Sequence, residues 1–269
     1  MNVFLLELRN IRKSAAVSSL AVSLIFIFML AFYPSMKTES MQALTGAKLE
    51  GMDPALLAAL GLSEMVDFTV ISNYFGYILQ FAALAVMVIA THQAVSLLIK
   101  EESDGTIEYL CAKPVSRTEI FTQKLLAHVT VLALTMLLYI AVTAGGYMIF
   151  GGYDLGAALK ETAILFSGIL FAALIFSSIG ILFSAVVKSS SRAVGVAMAL
   201  VFGSFILGIL STLVKELGFL VWFSPLDWVK AAKLLKEGLR VWEWVPGCAI
   251  IVMCTASALV IYKKKDLLI

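Results

Sequence analysis

The sequence predicts an all-α polytopic membrane protein that crosses the bilayer six times. Three observations predict it. The chain is 61% hydrophobic and 14% charged over 269 residues, against roughly 25% charged in an ordinary soluble domain, so its charges cannot coat a water-facing surface of this size. Mean hydropathy is +0.98, an excess too large to reside in one segment. The charges that exist are grouped, and they leave six long intervals free of Asp, Glu, Lys and Arg. A bilayer core needs about 20 helical residues, and each backbone polar group within it must find a partner inside its own segment or a closed sheet. This composition excludes a disordered chain, a collagen, a disulfide-rich secreted scaffold and a soluble enzyme.

The spans follow in order as residues 15–35, 69–99, 120–150, 162–187, 193–214 and 244–262, in a single transmembrane domain over the whole chain. Before the first lies an amphipathic stretch, Met1 to Lys13, with Phe4, Leu8 and Ile11 on one face and Arg9 and Lys13 on another. It predicts an interfacial helix. The first span is too long for a signal-peptide core, and Phe32-Tyr33-Pro34 is a poor cleavage site, so it reads as an uncleaved helix. The loop after it carries a capped helix with Asp53 as N-cap, Pro54 at the first position and Gly61 beyond Leu56, Leu57 and Leu60,. Between the fifth and sixth spans, Ser224-Pro225-Leu226-Asp227 starts a helix that Gly238 stops,. Its lysines recur every three or four residues, and Trp222, Trp228, Trp242 and Trp244 surround it. It predicts an amphipathic helix lying in the outer interface beside an aromatic belt.

Lys and Arg favour the side that holds both termini, through Arg9, Arg12, Lys13, Lys100, Lys113, Arg117, Lys124, Lys188, Arg192 and Lys263 to Lys265. By the positive-inside rule both termini are cytoplasmic, in a plasma membrane. Lys215, Lys230, Lys233, Lys236 and Arg240 run against that rule from the other side. Net charge is +2, too small to imply a nucleic-acid partner. Cys111, Cys248 and Cys254 lack metal-ligand or disulfide spacing and read as packing residues,.

The longest segment on the termini side, KEESDGTIEYLCAKPVSRTEIFTQK from Lys100 to Lys124, is also the most charged. Ser116 and Glu119 form a capping box, and Val115 and Ile120 its hydrophobic staple, which fixes the entry of the third span. Upstream, Gly105 to Lys113 is a short amphipathic element. Ile107 and Leu110 share a face, and Glu101, Glu102, Asp104 and Glu108 surround it with negative charge. The residues alone leave two readings open, a solvated connector or a surface that docks on a partner.

The run from Glu101 to Ile120 resembles the signature of the ABC type-2 permease family. In that family a Glu, a Gly-Thr-(Leu/Ile)-Glu-(Tyr/Phe)-Leu run and a Pro-Val-Ser-Arg turn follow the second helix. Here these are Glu101 or Glu102, then Gly105, Thr106, Ile107, Glu108, Tyr109 and Leu110, then Pro114 to Arg117. Cys111 and Ala112 depart mildly from it. The likeness extends to the N-terminal helix, the six-span layout and the Ser224-Pro225 helix. It implies a membrane-spanning subunit of an ATP-driven exporter. The Gly105 to Lys113 region would be a cytoplasmic coupling helix resting on a separate ABC ATPase. Two permeases, identical or different, would pair with two ATPase subunits, and ATP and Mg would sit on those partners. Charge reversal at Glu101 and Glu102 would then uncouple hydrolysis from export without unfolding the chain.

What the sequence lacks bears on the same question. No G-x-x-x-x-G-K-[ST] occurs, so the chain is not expected to cradle nucleotide phosphates or to bind a cofactor itself. The six charge-free intervals, Ser14 to Met36, Phe68 to Ile99, Leu125 to Tyr153, Thr162 to Val187, Ala193 to Val214 and Trp244 to Tyr262, hold no Asp, Glu, Lys or Arg, which speaks against an ion-coupled carrier. No G-x-S-x-G elbow or H-E-x-x-H is present,, so neither catalysis nor a metal is expected. His92 and His128 flank the charged loop and read either as polar residues at the interface or as a pair across that loop. Gly195, Ala199 and Gly203 recur every four residues on the fifth span, with Ser204 and Gly208 on a neighbouring stripe. Small residues at this spacing let helices approach closely, within one subunit or across a permease dimer. An ATP-independent carrier or a membrane assembly factor is the alternative reading. The cargo class that spans without charges favour is amphipathic or hydrophobic.

Overall fold

The computed structural model describes residues 3–39, 41–43, 67–103, 115–187, 192–238 and 241–265, with isolated positions at 51, 53, 57 and 105. Among them the chain is helical throughout, with no strand. Six helices are long and apolar enough to cross a membrane. They are α1 (Val3–Ala31), α3 (Ile71–Ser103), α4 (Arg117–Gly151), α5 (Leu155–Val186), α6 (Ala193–Leu213) and α9 (Val241–Lys264). Short elements complete them: α2 (Tyr33–Met36), a 3₁₀ stretch (Lys215–Phe223), α7 (Pro225–Trp228) and α8 (Ala231–Glu237).

Burial grades from the middle of the bundle outward. In the apolar window of α5, 67% of residues are buried, and 61% in α3, against 11% in α9. These two central helices meet closely because Gly180 of α5 lies over α3. A Cβ there would stand 3.1 Å from the Thr91 carbonyl and from the Ala94 methyl. Small residues permit that approach, and the Leu98 amide donates to Ser184 Oγ at 2.9 Å across it. Toward the end remote from the termini, the core is aromatic. Phe26 of α1 stands edge-on to Phe75 of α3 and Tyr139 of α4, each at 5.3 Å between centroids, and Phe166 of α5 completes the group. Edge-to-face rings at this distance are favourable beyond their buried area.

Several local expectations meet the structure differently. The N-terminal amphipathic stretch is not a separate interfacial helix. It is the first three turns of α1, continuous with the span, because nothing between Lys13 and Ala16 breaks the helix. Helix α5 starts well before residue 162, at Leu155, because Asp154 caps it by accepting the Ala157 amide at 3.0 Å. The segment from Ser224 to Gly238 is not one helix in the interface. It is broken at Val229 and Lys230, and Trp228, Ala231 and Leu234 are buried in the bundle. Gly168 of α5 makes the room: a Cβ there would stand 2.5 Å from the Leu234 side chain. Ser224 makes no cap hydrogen bond. In the loop after α2, the Leu57 amide donates to the Asp53 carbonyl at 3.0 Å, a helical bond. Pro54, Leu56, Leu60 and Gly61 lie outside the described residues.

Candidate functional site

Helix ends converge where the chain begins and ends. The last turn of α3, the first turns of α4, the start of α1 and the end of α9 meet there, joined by ion pairs, hydrogen bonds and apolar contacts. Ser116 caps α4 as the sequence predicts, accepting the Glu119 amide at 3.2 Å. Val115 and Ile120 pack together, and Val3 of α1 joins them. That seats the beginning of the chain on the beginning of α4. The Phe4 amide adds a hydrogen bond to Gln123 Oε1 at 3.0 Å.

Lys124 lies two turns into α4 and is fully buried. Its ammonium donates to the Leu97 carbonyl at 2.6 Å and to Glu101 Oε1 at 2.5 Å, both on α3. Glu7 of α1 is 3.4 Å away and also buried. A buried ammonium is tolerated only when its donors are used and opposite charge is near. Here three helices supply those conditions. On the neighbouring side Lys265 reaches Glu102 at 2.8 Å. Arg117 donates to the carbonyls of Lys263 and Lys265 at 3.1 and 2.6 Å, satisfying groups that the end of α9 leaves without helical partners. The start of α1 and the end of α9 therefore lie on one side of the bundle, the first held by Ile120, Gln123 and Lys124 of α4 and the second by Glu102 and Arg117, close to the two ends of segment 103–115.

Of the residues singled out in the sequence, Glu101, Glu102 and Arg117 belong to this junction. Gly105 takes a left-handed conformation, φ +68°, which favours glycine, with nothing within 4 Å of a Cβ. Asp104, Thr106, Ile107, Glu108, Tyr109, Leu110 and Pro114 lie outside the described residues, as do Cys111 and the Ser189–Ser191 turn. His128 is buried and hydrogen-bonds Ser177 of α5 at 3.0 Å, so its partner is across the helix pair and not His92. On α6, Gly195 and Ala199 are exposed and Gly203 half-exposed, with no atom within 4 Å of a Cβ at either glycine. Gly208 differs. It is buried against α7, where a Cβ would overlap the carboxylate of Asp227 and stand 2.7 Å from Ser224 Oγ.

Sequence reasoning missed Glu7, Lys124 and Lys265 as junction members. One signal existed. Glu7 is the sole carboxylate before Glu39, set in an otherwise basic and apolar stretch. No cluster of three or more metal-ligating side chains occurs among the described residues. The junction joins the ends of four helices, α1, α3, α4 and α9, beside the two residues, Ser103 and Val115, between which only Gly105 is described.

The family model described as ABC-2 family transporter protein matches residues 1–267. The chain belongs to the ABC-2 transporter family. It is thus a transporter permease of the multi-pass membrane type, and its described residues include six helices long and apolar enough to cross a membrane. No curated protein matches the chain.

Proposed function

We propose that this ABC-2 chain is the permease subunit of an exporter driven by a separate cytoplasmic ATPase, with Gly105 to Lys113 as its coupling helix. The match over residues 1–267 carries the reading, and the lack of a nucleotide-binding loop in the sequence supports it,. ATP and Mg bind the partner, both termini face the cytoplasm, and this chain performs no catalysis.

The junction explains how a push on so short a segment moves the membrane domain. At one end the segment joins Glu101 and Glu102, at the other Ser116 and Arg117. Displacing it displaces α3 and α4 directly. Through Lys124 and Glu7 it carries α1, and through Glu102, Lys265 and Arg117 it carries α9. Rigid helix ends tied in this way move as a body, which is one established form of transporter switching. The open face of α6 at Gly195, Ala199 and Gly203 is the surface offered to a second permease. An amphipathic or hydrophobic cargo suits the path between them.

Glu101 and Glu102 are ion-paired inside the chain, so reversing them would disturb folding as well as coupling. The cleaner test reverses Glu108. With the ATPase co-expressed, Glu108→Lys is expected to keep folded yield while losing ATPase copurification or export driven by hydrolysis. A Glu108→Lys chain that still exports with its ATPase, or a wild-type chain that purifies alone and moves cargo down an ion gradient, overturns the reading in favour of an ATP-independent carrier.

A further inference from the structure

A groove of about 480 Å³ runs between α4, α5 and α9 in the half of the bundle nearer the termini. Phe121, Leu125, Ile181, Ile251, Ala256 and Leu259 line it. It opens sideways, between exposed Leu126 of α4 and exposed Val252 of α9. Its few hydroxyls do not make it a polar site. Ser177 is bonded to His128 and Ser178 to the Ile175 carbonyl. In a membrane-spanning chain a lateral apolar opening faces acyl chains, and its size falls within the ordinary range for ligand sites, about 300–1,000 Å³.

The depth and the charge of the groove specify its occupant further. From Ile251 to Leu259 helix α9 rises about 12 Å, close to the hydrocarbon depth of a single leaflet, about half of 30 Å. On α9 the lining stripe Val252, Ala256, Leu259 continues at the same spacing to Lys263, with Lys264 beside it. Both lysines are exposed and neither has an ion pair among the described residues. At this end of α9, Arg117 is engaged by the Lys263 and Lys265 carbonyls and Lys265 is paired with Glu102, which leaves the Lys263 and Lys264 ammoniums as the cations one turn beyond Leu259. We infer that this groove binds one anionic glycerophospholipid, an acyl chain seated along Ile251–Leu259 and the phosphate against Lys263 and Lys264. The inference does not depend on the transport reading. It accounts for how α9, the least buried span, is covered on the side where α4 and α5 leave it open.

Native mass spectrometry of the full chain, purified and exchanged with phosphatidylglycerol or phosphatidylcholine of matched chains, tests it. Phosphatidylglycerol is expected to be retained about tenfold over phosphatidylcholine, as two lysines near an anionic headgroup warrant. Lys263→Gln with Lys264→Gln should erase that preference. Ala256→Phe, at an exposed position, should fill the groove and lower retention of both lipids with unchanged elution of the protein. Equal retention of the two lipids by the wild type, or undiminished retention by Ala256→Phe, overturns the site. So does a Val252→Cys chain that forms a disulfide-linked dimer in the membrane, since a second copy would then cover the groove.

Discussion

Two ends of the bundle are fastened by different physics. At the termini end, α1, α3, α4 and α9 are tied by charge: Lys124 with Glu101 and Glu7, Lys265 with Glu102, Arg117 on carbonyls of α9. At the far end, the short helices α7 and α8 are held largely by shape. Glycines at 168 and 208 leave hollows that Leu234, Ser224 and Asp227 fill, and Gly247 receives the Phe171 ring. Ionic ties fix register strongly and leave the joined ends free to move together. Glycine hollows resist any displacement, because a close-packed contact has no second arrangement nearby. Two far-end pairs, Lys230 with Asp227 and Lys233 with Glu243 at 2.6 Å, add charge to shape there, with the Lys233 ammonium also 5.0 Å from the Trp242 ring centroid.

The contrast breaks most sharply at Lys124. Lys124→Met leaves buried Glu7 and partly buried Glu101 beside an apolar side chain, and should cost about 3–5 kcal/mol, the usual penalty for breaking a buried pair. Thermal unfolding of the detergent-purified chain would register it. Adding Glu7→Gln and Glu101→Gln should restore most of the loss, because a neutral group has less desolvation to recover. A triple variant no more stable than Lys124→Met would show that the junction is not held by charge.

At the shape-fastened end the expected effect is smaller. Gly208→Val should cost about 1–3 kcal/mol through overpacking against Asp227 and Ser224. Gly195→Val, on the same helix and facing open space, should leave unfolding of the single chain unchanged and act only on association. Equal losses from both would mean that the small residues of α6 serve one purpose. The smallest effect sharpens the termini end alone. Ser116→Ala should cost about 1 kcal/mol by removing the α4 cap, and Ser116→Asp should recover it; a null result would place the start of α4 under control of the Val3–Val115–Ile120 contact.

Much of this was legible in the chain itself. The six spans followed from solvent: lipid demands about 20 apolar residues per crossing, and any composition that meets the demand announces it. The α4 cap was equally legible, because Ser116, Glu119 and the residues they bond are within one turn. The extent of α5 was not read, although Asp154 carries a local signal, since charges at Lys160 and Glu161 concealed it within the hydropathy pattern. The 224–238 helix was read against a flat interface, where its lysines belong. Its depth was decided instead by a glycine on α5, more than fifty residues earlier in the chain.

The sequence by itself determined the solvent of this protein, the number and order of its crossings, and the local caps that begin them, because each of those depends on residues within a few turns of one another. Only the tertiary structure decided which charges meet. Lys265 and Glu102 are 163 positions apart, Phe4 and Gln123 are 119 apart, and no periodicity spans such intervals. An isolated Lys or Glu in an apolar helix states that it needs a partner; the packing of helices chooses which one.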